Sequence, residues 1–87
     1  MMWTLNFSTK AAKLFEKLDK PIQRYIATEI DKILALDNPR QLGKALTGEL
    51  SGLWRYRAGD YRIVCEIQDN VLMILVVRVA HRKDIYG

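Results

Sequence analysis

The sequence has few of the residues on which common kinds of active site depend. It contains one cysteine, Cys65, and one histidine, His81, among 87 residues, so we expect neither a disulfide framework nor a zinc site. No metal-ligand spacing, glycine-rich phosphate loop or internal repeat is visible. The longest apolar run, residues 71–77, is too short for a bilayer, and no signal peptide is recognisable. These absences predict a cytoplasmic chain that uses no metal or cofactor.

The composition indicates one small globular domain over residues 1–87. A hydrophobic content of 49% with 28% charged residues is ordinary for a chain that builds a single core. Fourteen Lys plus Arg against ten Asp plus Glu give a net charge of +4. This charge suggests an anionic partner, such as nucleic acid or an acidic protein, but many small soluble proteins are also mildly basic.

The first half of the chain predicts a strand followed by a helical hairpin. Residues 3–7 alternate apolar and polar side chains, as a strand with one buried face does. Ser8 is a suitable N-cap for a helix that runs to about Leu18. Pro21 suits the first turn of a second helix, which runs to about Leu36. The two helices form an antiparallel hairpin whose apolar stripe covers one face of a sheet.

A connection at residues 40–50 follows the stop signal of the second helix, Asn38-Pro39. We predict a helical turn at residues 41–46 within it. Beyond it, three aromatic or β-branched runs are separated by turns that contain Gly, Asn or Asp, which predicts a three-stranded antiparallel meander. The order strand, two helices, three strands makes this an α+β domain.

The arginines of the meander fall on one face. Strand side chains alternate, so a two-residue turn at residues 58–59 or 59–60 places Arg62 opposite Arg55 or Arg57 on the same side. Like charges in that position destabilise a sheet, whereas a bound polyanion would gain from them. The opposite side, with Cys65 as a small buried hydrophobe, forms the core.

The second hairpin extends this grouping. If Asp69-Asn70 is a two-residue turn, the arginine side also carries an apolar set, and extrapolation along the last strand adds His81. Arginines on a rigid sheet, a histidine that exchanges protons near neutral pH and a terminal tyrosine are parts of a metal-free ribonuclease. A plain basic binding face is the competing interpretation. The apolar residues predicted on the arginine side are Val64, Val71, Met73, Leu75 and Val77.

Three stretches resemble the RelE/ParE toxin superfamily of bacterial type II toxin–antitoxin systems, closest to its RelE branch. They are residues 50–54, 59–64 and 77–86, and the order of predicted elements agrees along nearly the whole chain. The resemblance implies a metal-independent endoribonuclease that enters the ribosomal A site. There it cuts mRNA by attack of the 2′-hydroxyl, which gives a cyclic phosphate and inhibits translation.

The resemblance also implies a role for individual residues. Arg62 would contact the scissile phosphate, and Arg82 would assist the leaving group or phosphate. Tyr86 would stack on a base, His81 would be the general acid of a histidine-bearing branch, and Arg55 replaces a lysine thought to act as base or electrostatic stabiliser. Further RNA contacts are expected from Arg57, Lys44, Arg40 and Lys83.

Two departures from the family pattern leave the general base unassigned. Arg55 is a poor proton acceptor, because a guanidinium stays protonated at any working pH. Lys44 stands where the histidine-bearing branch has a glutamate. Either His81 or Lys44 could serve as base, or positioning and charge stabilisation dominate so that no base is needed.

The family implies partners as well: a cognate antitoxin, the bacterial ribosome with its mRNA, and operator DNA through the antitoxin only. The antitoxin tail would cover the arginines and the apolar outer face. The competing interpretation places that apolar face beneath the connection at residues 40–50. Alternative functions are a ParE-like inhibitor of DNA gyrase and a catalytically inactive domain that only binds its antitoxin.

Overall fold

The computed structural model describes residues 3–81 and confirms the α+β class, with two helices packed on one face of a five-stranded sheet. The strand order is β1-β5-β4-β3-β2; β1 runs parallel to β5, and the other pairs are antiparallel. Neither helix in this part of the chain is long and apolar enough to cross a membrane. The elements are β1 (Thr4–Phe7), α1 (Thr9–Glu16), α2 (Lys20–Leu34), β2 (Lys44–Ala45), β3 (Trp54–Ala58), β4 (Tyr61–Gln68) and β5 (Met73–His81).

The helices begin where the capping residues predict. The Ala11 amide donates to the Ser8 hydroxyl oxygen at 3.1 Å, so the predicted N-cap of α1 is confirmed. Pro21 lies in the first turn of α2, where its missing N–H costs no helical hydrogen bond. Each helix ends two residues before the predicted position, a normal uncertainty for helix ends.

The core lies between the helices and one side of the sheet. The sheet supplies alternate residues of β3, β4 and β5, and the helices supply Ala11 and three isoleucines of α2. Burying each large aliphatic side chain stabilises the fold by about 1.5–3 kcal/mol. The predicted core side of the meander is therefore confirmed for its central part. The sheet residues of this core cluster are Tyr56, Ala58, Ile63, Cys65, Ile74, Val76 and Val79.

The connection at residues 40–50 differs from the prediction, because it contains no helical turn at residues 41–46. A 3₁₀ turn at Pro39–Gln41 leads instead into strand β2, which pairs with β3 at the sheet edge. Gly43 permits this at a φ of +81°, since a Cβ there would lie 2.5 Å from the Arg55 carbonyl oxygen. The connection therefore extends the sheet.

The β4–β5 turn is also longer than the predicted Asp69-Asn70. A 3₁₀ turn at Asp69–Val71 is followed by Leu72, which closes the connection in the left-handed region at a φ of 51°. Two extra residues leave the side-chain parity unchanged, so Ile67 still lies on the same side of the sheet as Ile74, with which it now pairs. In this half of the hairpin the side chains therefore lie on the predicted sides of the sheet, although the predicted two-residue turn was wrong.

A β-bulge in β5 reverses the parity in the other half. Cys65 pairs with Val76 but Val64 pairs with Arg78, so Val77 is an extra residue. Every later side chain is turned to the other side, and His81 pairs with Tyr61 on the helix-facing side. The prediction that His81 shares a face with Arg62 was therefore wrong, since it assumed an unbroken ladder.

Candidate functional site

Two register rows on the side of the sheet away from the helices bring five cations together. The first row crosses four strands, from Lys44 through Arg55 and Val64 to Arg78, and the second joins Arg57, Arg62 and Ala80. Neither row contains a carboxylate. The predicted grouping of Arg62 with Arg55 and Arg57 is confirmed by this register. We call this set the arginine face: Lys44, Arg55, Arg57, Arg62, Val64, Arg78 and Ala80.

Arg62 is the most deeply buried cation of the arginine face, with 6% of its surface exposed, whereas Arg57 directly opposite is exposed. Its Nη1 atom donates to the carbonyl oxygens of Gly59 at 3.3 Å and Tyr61 at 3.4 Å, which are long for such bonds. Its buried Nε has no hydrogen-bond partner among the residues described. A buried donor without a partner is costly, and an anion on this face would supply one.

His81 lies on the other side of the sheet. Its ring meets the Tyr61 ring edge-on, with centroids 5.4 Å apart and an interplanar angle of 85°. Together with Lys10 and Lys17 of α1, it lines a pocket of about 510 Å³. The structure thus brings together Arg55, Arg57 and Arg62 and separates the imidazole from them.

Arg40 is placed away from the arginine face. Its Nη1 and Nη2 atoms donate to the two carboxylate oxygens of Asp69 at 2.8 and 2.9 Å, and its Cζ lies 6.0 Å from the Trp54 ring centroid. The hydrogen bond to Asp69 raises the pKa of Arg40, and the same bond lowers the pKa of the carboxyl. This exposed pair ties the Pro39–Gln41 turn to the β4–β5 connection. The expected RNA contact of Arg40 stays a prediction.

Three predicted site residues, Arg82, Lys83 and Tyr86, lie outside the described residues. Their expected roles stay predictions. Lys44, by contrast, is described and lies directly across from Arg55 on β3.

Sequence reasoning missed Arg78, which the bulge turns onto the arginine face. An unbroken alternation from Ile74 and Val76 would have carried Arg78 to the core side. That conflict between a buried face and a guanidinium was the available signal of an irregularity in the strand. The bulge therefore places Arg78, and not His81, on the arginine face.

Cys65 is fully buried in the core, and burial raises the pKa of its thiol to about 12. Because the thiolate is the reactive form, we expect the folded chain to resist iodoacetamide at pH 8. In denaturant the thiol regains its ordinary pKa and exposure, so it should be alkylated completely. Intact mass measured over time checks both states, and rapid labelling of the folded chain would contradict the burial of this residue.

Comparison with known proteins gives a consistent family. Residues 5–86 match the model for the ParE toxin of type II toxin-antitoxin system, parDE. Toxin RelG of Mycobacterium tuberculosis is 34% identical over 86 residues, which cover 99% of this chain and 98% of that protein. Toxin RelE of the same organism is 41% identical over 51 residues, or 59% of this chain and 53% of that protein.

Solved structures resemble the whole described fold. The toxin–antitoxin complex RelBE2 from Mycobacterium tuberculosis matches with a TM-score of 0.72 and 29% identity, covering 94% of this chain and 100% of the matched one. The RelB–RelE antitoxin–toxin complex from Methanococcus jannaschii matches with a TM-score of 0.69 and 27% identity, covering 93% and 94%. Similarity therefore extends along nearly the full length in sequence and in structure.

Proposed function

Because the chain belongs to the RelE/ParE toxins of type II toxin–antitoxin systems, we propose that it is an endoribonuclease that cleaves mRNA in the ribosomal A site. The observation that carries this proposal is the buried Arg62 of the arginine face, whose Nε lacks a partner among residues 3–81. A phosphate is the ligand that such guanidinium groups bind best.

The proposed reaction uses the nucleophile of the RNA itself. The ribose 2′-oxygen attacks the neighbouring phosphorus and forms the cyclic phosphate, while the bond from phosphorus to the 5′-oxygen breaks. The 2′-hydroxyl loses its proton to solvent or a base, and the departing 5′-oxygen gains one. Arg62 and Arg55 stabilise the additional negative charge of the transition state, which is the largest effect available to a preorganised site.

We assign the larger part of the rate enhancement to charge and positioning, since the guanidinium of Arg55 is a poor proton acceptor and Lys44 is an exposed lysine of the edge strand. Arg82 would assist the leaving group, Tyr86 would stack on a base and Lys83 would contact the RNA backbone. His81 would act from the helix-facing side, which limits its access to a phosphate held by Arg62.

A cognate antitoxin is the proposed protein partner, as the solved relatives are toxin–antitoxin complexes. Met73 and Leu75 are partly exposed beside the arginines, on the strand that carries Arg78. A flexible acidic segment with apolar side chains complements such a surface. Operator DNA would be reached through the antitoxin only.

Replacing His81 by alanine is expected to lower mRNA cleavage by less than about tenfold, whereas loss of a general acid typically costs about 10²–10⁴-fold. The reason is the position of the imidazole across the sheet from Arg62. Single-turnover cleavage on programmed ribosomes between pH 5.5 and 8 measures the effect. A hundredfold loss, accompanied by the disappearance of one limb of the pH profile, would assign proton transfer to His81 instead.

The function itself is tested by adding the purified chain to ribosomes programmed with a short mRNA, and to the same mRNA alone. We expect cleavage only with ribosomes, and a cyclic phosphate at the new 3′ end. A DNA supercoiling assay with gyrase runs in parallel. Intact mRNA with inhibited supercoiling would favour the gyrase inhibitor, and no effect in either assay would favour a domain that only binds its antitoxin.

A further inference from the structure

A pocket of about 320 Å³ opens at the sheet edge, where β2 begins, and it continues the arginine face around that edge. We call it the edge pocket. Its lining is partly apolar and partly cationic, and we call the cationic part that it shares with the arginine face its rim. The apolar part is formed by Ile33, Leu42 and Tyr56, and the rim by Lys44, Arg55 and Arg57.

The sheet leaves main-chain groups at this edge. β2 pairs with β3 through Lys44 and Ala45 only, and beyond them no strand among residues 3–81 pairs with this side of β3. In an antiparallel ladder, alternate residues direct their N–H and C=O groups to the same neighbour. Because the Leu46 amide donates to the Leu53 carbonyl oxygen, the alternation directs the main-chain groups of Arg57 to this side, beside the pocket.

The charge of the edge pocket matches an anion. Within the described part of the chain, the one acidic residue that lines it is Glu29, whose Oε2 lies 2.9 Å from Lys32 Nζ. That pair is neutral as a unit and offers a carboxylate and an ammonium as hydrogen-bond groups. The three rim cations then leave more positive than negative side chains in the lining.

We propose that the edge pocket receives one base of the single-stranded RNA whose scissile phosphate lies on the arginine face, an inference that rests on the proposed function. The base would lie against Leu42 and Ile33, with its polar edge at the Arg57 main chain and the Glu29–Lys32 pair. The phosphate of the same nucleotide would lie on Lys44 and Arg55, which belong both to the pocket and to the arginine face. The volume lies at the lower end of the range for small-molecule sites, about 300–1,000 Å³.

The test combines a pocket-filling variant with mRNAs that lack one base. Leu42→Trp fills the pocket, and Leu50→Trp is its matched control, because the two leucines are 46% and 43% exposed and only Leu42 lines the pocket. Single-turnover cleavage on programmed ribosomes is measured with intact mRNA and with mRNAs abasic at each nucleotide beside the cleavage point. For the wild type and for Leu50→Trp, we expect one abasic position to lower the rate about tenfold.

The Leu42→Trp chain should cleave intact mRNA about tenfold more slowly than the wild type. Its rate should not fall further with the mRNA that is abasic at that position, since the tryptophan has already displaced the base. A second pair keeps the test independent of folding: Lys32→Glu should slow cleavage more than Lys20→Glu, which changes an exposed lysine outside the pocket. If the two tryptophan variants cleave alike and the two glutamate variants cleave alike, while the wild type cleaves normally, the base pocket is overturned but the proposed function is not. No cleavage by the wild type would instead overturn the proposed function.

Discussion

Replacing Arg62 by alanine is expected to reduce mRNA cleavage on ribosomes by about 10²–10³-fold, the loss typical of removing one preorganised donor from a charged transition state. The side chain is buried on the arginine face directly opposite Arg57, and its Nε has no hydrogen-bond partner within residues 3–81. A phosphate in that place would complete its hydrogen bonding. Cleavage is measured under single-turnover conditions, so that ribosome binding and product release do not mask the chemical step.

Two controls separate this catalytic effect from a general loss of charge or stability. Arg24→Ala removes one exposed arginine from α2 and should leave cleavage within about twofold. Arg62→Lys keeps the charge but loses the planar fork of donors, so it should recover only part of the rate. Thermal melting of the Arg62→Ala chain checks that it stays folded, because truncating a buried arginine removes packing as well as charge. A normal rate in the Arg62→Ala chain would contradict the proposed site.

Replacing Gly43 by alanine is expected to be among the most destabilising single changes in the connection. A φ of +81° costs a non-glycine residue about 1–2 kcal/mol. The new Cβ would also lie 2.5 Å from the Arg55 carbonyl oxygen and 2.6 Å from Trp54 Nε1. Overpacking of this kind adds about 1–3 kcal/mol. Urea denaturation measures the total.

Gly48→Ala is the matched control for that measurement. Gly48 also has a positive φ, +69°, but a Cβ there would meet nothing within 4 Å. It should therefore show only the conformational cost, and the difference between the two variants isolates the contact with β3. The clash should also displace Lys44, so mRNA cleavage should fall in Gly43→Ala but not in Gly48→Ala. Equal destabilisation by both would mean that β2 does not approach β3 so closely.

The sequence by itself determined the elements other than β2 and one half of the site. Ser8 and Pro21 mark the helix starts through the special hydrogen bonding of a first helical turn. The Gly59-Asp60 turn joins β3 and β4 with two residues, so strict alternation was enough to place Arg62 beside Arg57. The sequence was also sufficient to identify the family, because the motifs follow each other in order along the chain.

Only the tertiary structure decided which residues join the arginines at the last strand. The bulge at Val77 carries neither glycine nor a turn residue that would reveal it, and it moves Arg78 onto the arginine face and His81 off it. The edge strand β2 depends in the same way on a long-range approach of Gly43 to β3. Local patterns specify alternation and turns, whereas a one-residue slip depends on how two distant strands pack together, and a slip of one residue reverses every side chain after it.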